Sequence, residues 1–215
     1  VRKFDPIMKH IIICFFLLTA GLSSYSQVSS ILLDAKDQIT KDSTQATTYA
    51  VYGKLTGDSV YTFKKFSFDG VMLTTGSFKD EKLQVPDGKF VYYNWITPNN
   101  NTVNYTNEIN GRERYIELAG SFTNGRRNGR WISFYPTGKI KQVITYYQGV
   151  IHGPYQFFDE DGKISVQGLY NAGKKNGTWI LNGGKQENVY ANDVLVSSLK
   201  GKKLRDKQMA GKNTN

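Results

Sequence analysis

Cysteine is nearly absent from this 215-residue chain: Cys14 is the only one, and histidine occurs twice, at His10 and His152. With one cysteine no disulfide can close within the chain, and the usual four-ligand cysteine and histidine zinc sites cannot be assembled. Proline is sparse, with five in all, and no long amphipathic helix is visible. What the chain does have is glycine and rings: 21 glycines, 14 tyrosines, 12 phenylalanines and 3 tryptophans. Aromatic residues favour strands and glycine favours turns, so this composition reads as β-structure with many tight turns. A hydrophobic content of 39% is adequate for a core.

The first 26 residues stand apart from that pattern. After Met8 come Lys9 and His10, then the apolar run IIICFFLLTA, then GLSSYSQ, with Ser24 and Ser26 at the small-residue positions a signal peptidase reads. The expectation is a signal peptide over 1–26, cleaved after Ser26, with residues 1–7 an extension upstream of Met8. The apolar run is too short for an ordinary membrane-spanning helix. Ile13 precedes Cys14 and most of the apolar run follows it, which argues against lipid attachment there. The expected product is an exported chain with no cysteine and no transmembrane span, placed in the periplasm, at the outer membrane or outside the cell. Thiol chemistry would leave with the leader, and export removes nucleic acid as a partner.

The net charge of +10 is unevenly spread. Residues 1–26 carry three cations against one acid, and the stretch from Leu199 carries six against one, which leaves +3 for the whole body. The basic character therefore describes a tail and a few loops, not a domain face. The tail, 199–215, has low hydrophobicity and reads as disordered.

The body repeats with a step of 24. Gly125, Gly149 and Gly173 keep it, as do Gly129, Gly153 and Gly177, and the aromatic set Trp131, Tyr155 and Trp179. Phe122, Tyr146 and Tyr170 follow the same step, and so do Gly138 and Gly162. A fixed period in this range means stacked structural units. Within each unit two runs of aromatic and β-branched residues meet across a glycine turn, as RWISFY meets KIKQVITYY across PTGK, which is a hairpin signal. Weaker copies reach back to Phe63 and Gly70, and the unit opened by Gly88 and Phe90 is interrupted near 97–110 by TPNNNTVNYTNEI. The expectation is an all-β fold: an elongated antiparallel sheet of about five stacked hairpins over 49–198, preceded by a lead segment at 27–48. One hairpin is marginal in water, so stacking is what buries the apolar faces, with one ring per unit forming a ladder.

The same period accounts for features that resemble chemistry. GLYNAGKK at 168–175 approaches a phosphate-binding loop, yet Lys175 stands where the metal-binding hydroxyl belongs and NGTW follows where a helix should start. His152 corresponds to Asn128 and Asn176 one period away, which makes it a turn residue. DEDG at 159–162 lacks the acids a calcium loop needs at Phe157 and Gly168. No catalytic set, metal site or cofactor is expected. The candidate binding residues are the ladder rings Trp131, Tyr155 and Trp179; the basic pairs Arg126-Arg127 and Lys174-Lys175, expected about 19 Å apart on one rim at four strand spacings; and Tyr105 in the insertion, since loops that interrupt an array often carry binding.

GRRNGRWISFYPTGKI, HGPYQFFDEDGKI and YNAGKKNGTW resemble the bacterial variant of the MORN repeat, most clearly over 120–184 and more weakly back to 61. The chain is also similar to repeat proteins labelled YwqK-type antitoxins and to repeat regions ahead of TonB-type transducer domains in Bacteroidetes. The resemblance implies a hairpin sheet used for protein contact or membrane association, with no catalytic residues to carry over. The functional expectation is an exported, non-enzymatic scaffold that binds another envelope protein through its aromatic face or its insertion. The alternatives are association with anionic lipid or glycan through the basic loops and tail, and antitoxin-like binding of a partner protein.

Overall fold

The fold is taken from a computed structural model that describes residues 27–97, 99–100, 108–109 and 112–212. The expected leader, 1–26, and Tyr105 lie outside the described residues. The sheet begins with β1 (Gln27–Leu33), β2 (Ile39–Thr40) and β3 (Thr48–Lys54). Five hairpins follow: β4 (Tyr61–Ser67) with β5 (Met72–Phe78), β6 (Gly88–Trp95) with β8 (Arg112–Thr123), β9 (Arg126–Phe134) with β10 (Ile140–Tyr147), β11 (Val150–Phe158) with β12 (Ile164–Asn171), and β13 (Lys174–Leu181) with β14 (Gln186–Ala191). A last strand, β15 (Val194–Lys200), runs directly into helix α1 (Gly201–Lys212). The short β7 (Glu108–Ile109), within the insertion, pairs with β8.

Every pairing is antiparallel and, apart from β2 and the inserted β7, spatial order follows chain order, so the hairpins stack side by side in one open sheet. This is the all-β hairpin array that the period predicts. Local chemistry explains its regularity. At one rim the turns centred on Asn124-Gly125, Gln148-Gly149 and Ala172-Gly173 have both central residues at positive φ, between 47° and 87°. Such turns match the twist of the flanking strands, and glycine at the second position makes them accessible. At the opposite rim, Tyr135 and Asp159 each donate an N–H to the carbonyl four residues on, at 2.8 and 2.9 Å, closing two equivalent loops.

Two segments differ from expectation. The lead segment 27–48 is part of the sheet: β1 pairs with β3 along seven positions, and Leu33 joins Ala50 and Phe63 in a buried cluster. Ile31 and Leu33 lie on one face of β1, a signal too short to carry the 24-residue period. The tail is not disordered up to Lys212. α1 packs against β14 and β15, Leu204 is 3% exposed, and Lys207 pairs with Glu187. One buried leucine and one ion pair anchor a helix whose composition alone reads as solvated.

Candidate functional site

All the ladder rings lie on one face of the sheet. The registers Tyr52↔Phe63, Phe63↔Gly76, Phe90↔Gly120, Trp131↔Ile144, Ile144↔Tyr155 and Tyr155↔Gly168 form a single row running across the strands. A second row, one pleat away, holds Phe78, Phe122, Tyr146 and Tyr170. The two rows interlock edge to face. Phe63, Phe78, Phe90, Phe122, Trp131 and Tyr146 make successive contacts at 4.9–6.4 Å with interplanar angles of 74–84°. Tyr155, Tyr170, Trp179 and Tyr190 continue in the same manner at 5.1–6.2 Å. This is the geometry that ring quadrupoles favour, and each such pair adds about 0.5–1.5 kcal/mol beyond area burial.

A one-layer sheet has no second layer to cover its rings, and glycine solves that problem here. A Cβ placed on Gly120 would lie 2.2 Å from the Trp131 ring, one on Gly168 2.2 Å from the Trp179 ring, and one on Gly76 2.3 Å from the Phe90 ring. Each large ring therefore lies flat over a glycine of the preceding strand. Trp131 and Trp179 are 2% exposed as a result, and their indole N–H groups donate to the Ser121 and Leu169 carbonyls at 3.1 and 3.2 Å. The middle unit differs: Ile144 stands where the glycine would be, and the smaller ring of Tyr155 adjoins it.

The basic pairs fall inside strands β9 and β13, four strand spacings apart as expected. They do not act as pairs, because successive strand residues point to opposite faces. Arg127 lies over Trp131 and Tyr146, 4.4 and 5.4 Å from the ring centres, and donates to the Tyr146 hydroxyl at 3.2 Å. Lys175 lies over Trp179 and Tyr190 at 4.8 and 5.2 Å. These two cations complete the cover over the tryptophans, while Arg126 and Lys174 point the other way. Of the expected binding residues, then, Trp131 and Trp179 are sealed and serve the fold; Tyr155 is half-buried, and its hydroxyl accepts from the Gln142 side chain at 2.8 Å.

His152 does the work of Asn128. Its Nδ1 accepts the Ala172 N–H at 3.3 Å, as Asn128 Oδ1 accepts the Gln148 N–H at 3.5 Å and Asp87 accepts the Asn124 N–H at 2.8 Å. Three successive units thus support the first residue of the next turn. Among the described residues, no three His, Cys, Asp or Glu side chains come together in a way that could hold a metal.

Residues 127–146 and 151–172 match the family model described as the MORN repeat variant. Two central units of the sheet thus match this repeat. None of the curated proteins compared matches the chain. The matched MORN units are β9–β10 and β11–β12, at the centre of the ring row.

Beyond the matched units, at the opposite end of the face from α1, the cover over the rings is incomplete. Two connections fold over the sheet there, one joining β1 to β2 and one spanning 79–87. Between them lies a half-open cleft of about 210 Å³, floored by Phe63, Phe78, Phe90 and Tyr92 and walled by Ile31, Leu33, Ile39 and Leu83. Lys65 and Asp37 close one side with a 2.9 Å ion pair. Both connections hold a residue in the left-handed region, Asp37 at φ 61° and Leu83 at φ 57°. That conformation is uncommon for leucine, and it turns the Leu83 side chain onto the core cluster. Loss of solvation keeps the Tyr92 hydroxyl pKa above the ordinary tyrosine range. The period conveys none of this, because the walls come from β1, β2 and the 79–87 connection, which lie outside the repeated units; Ile31 and Leu33, two residues apart, were the available clue.

The 79–87 connection is tied by Asp80, which accepts the Gln84 and Val85 N–H groups at 3.1 and 2.7 Å. Loss of solvation raises its pKa, but the backbone donors outweigh that and hold it below the usual aspartate range. A lowered folded pKa stabilises above the unfolded value and loses that contribution as pH falls through the folded one. The Gln84 and Val85 amide resonances should therefore move together on acidification, with a midpoint below that of a free aspartate. A midpoint at or above the ordinary value would show that Asp80 does not hold the wall.

Proposed function

We propose that the chain is an exported, non-enzymatic scaffold whose MORN array holds another protein of the cell envelope. Repeats of this type commonly serve as scaffolds for protein or membrane interaction. The observation that carries the protein-binding reading is the cleft, where Phe63, Phe78, Phe90 and Tyr92 border an opening. At about 210 Å³ it is smaller than the roughly 300–1,000 Å³ of sites for drug-sized ligands. It suits one apolar or aromatic side chain of a protein partner, seated on rings and ringed by a polar edge.

Leu83→Asp tests this directly, because aspartate tolerates the left-handed conformation while placing a charge at the wall. With tagged chain and native envelope extracts, one protein should be retained by the unaltered chain at high salt. The variant should lose it at least tenfold at a temperature where circular dichroism shows the sheet still folded, since losing a side chain from the core cluster also lowers the melting temperature. Retention of the same protein by Leu83→Asp and by a chain lacking 97–110 would overturn the reading.

A second reading, association with anionic lipid or glycan, has α1 in its favour, where Lys202, Lys203 and Arg205 are all exposed. It requires binding to anionic vesicles or glycan that falls steeply with salt.

A further inference from the structure

The array ends on the β15 side in a way that separates its face from its edge. On the ring face, the row that carries Trp131, Tyr155 and Trp179 passes through Asn188 to Ser198. Ser198 donates to Asn188 Oδ1 at 2.8 Å, and Asn188 donates to the Tyr190 hydroxyl at 3.0 Å. The place of the next ring is thus taken by a polar network that closes the apolar row, as a terminal unit of a repeat array requires.

The edge has no such closure. The turn at Asn192-Asp193, both at positive φ, matches those that open β9, β11 and β13, so β15 is the first strand of a sixth hairpin. The residues that follow form α1 instead of a return strand. α1 does not cover the edge either. It contacts β14 as well as β15 and pairs Lys207 with Glu187, whose side chain points away from the ring face that Asn188 occupies. Among the described residues no strand pairs with the outer side of β15. Val194, Leu195 and Val196 are 67%, 51% and 64% exposed, without the charge or proline that normally blunts an edge.

We propose that β15 is a strand-addition site, and that its occupant is an extended segment of a partner protein with an apolar, β-branched core preceded by acidic residues. The main chain of β15 supplies the hydrogen bonds and Leu195 and Val196 the side-chain contacts, as in other strand additions. Charge sets the direction. An antiparallel segment places its N-terminal end beside Lys200 and the start of α1, where Lys202, Lys203 and Arg205 gather, so the acids belong ahead of the apolar core. Antiparallel pairing of β15 with its own copy would bring Asn192 and Asp193 to that end, one acid and not a run. The site is on a different surface from the cleft and stands or falls independently of it.

The probe is a synthetic peptide with three aspartates ahead of five alternating valines and threonines, offered to the full chain while amide exchange is followed. Protection of the β15 amides is expected. Val196→Lys should weaken binding at least tenfold with no change in melting temperature. Reversing Lys202 and Lys203 to glutamate should weaken it about tenfold, and a peptide with the aspartates moved to the C-terminus should bind correspondingly less well. Equal binding of the two peptides would overturn the charge-directed site, and no protection of β15 would overturn strand addition altogether. Concentration-dependent self-association that protects β15 without peptide would assign the edge to a second copy instead. Because Val196→Lys leaves the cleft intact, loss of peptide binding with continued capture through Leu83 separates the two readings.

Discussion

Trp131→Ala is expected to lower stability by about 3–5 kcal/mol, in the range of large aromatic truncations in well-packed cores. The ring touches Tyr92, Phe122 and Tyr146, at 6.4, 4.9 and 6.4 Å, and carries Arg127 above it. Its removal takes away three ring contacts, a cation seat and the N–H donor to Ser121. Total stabilities are on the order of 5–15 kcal/mol, so this single change would consume a large part of the margin. The affected contacts reach strands β6, β8 and β10, so the loss should be shared. Amide exchange in all three strands should accelerate together, with the melting temperature falling by roughly 6–20 °C. An unchanged melt, or exchange confined to β9, would show that the units do not support one another through their rings.

The glycine seats yield the second large effect. Gly168→Ile alone should be strongly destabilising, since even a Cβ there lies 2.2 Å from the Trp179 ring and overpacking typically costs about 1–3 kcal/mol or more. Trp179→Tyr alone should cost stability by underfilling its site. The two together reproduce Ile144 beside Tyr155, a combination this sheet already uses. The double variant should therefore be more stable than the sum of the singles allows, by about 1–2 kcal/mol of coupling. Denaturant unfolding of the four proteins measures this. Strict additivity would mean that the glycine does not make room for the ring.

Features that repeat were legible in the sequence, because a repeat is read by comparing the chain with itself. The hairpins, the rim turns and the correspondence of His152 with Asn128 all follow from the step of 24. The glycine seats were present in the same comparison, as Gly120, Ile144 and Gly168, but a glycine in mid-strand carries no turn signal and its role depends on where a ring on the neighbouring strand leans. The sides taken by Arg126 and Arg127 required strand boundaries, which placed them past the turn. The cleft and α1 were hidden for another reason. Their walls and anchors, Ile39 in β2, Leu83 in a connection and Leu204 in α1, lie outside the repeated units where each contact occurs once, so no second copy marks them.

The middle unit's exchange of glycine and tryptophan for isoleucine and tyrosine gives the array a grammar. A unit's return strand offers either a glycine or an isoleucine, and the unit that follows must present a ring of matching size. Excising the Tyr155 unit would bring Trp179 against Ile144, while copying the Trp131 and Tyr155 units as one block would leave every junction as it is now. Within the part that keeps the step of 24, such an array lengthens without repacking in blocks of forty-eight residues, twice the period that its turns display.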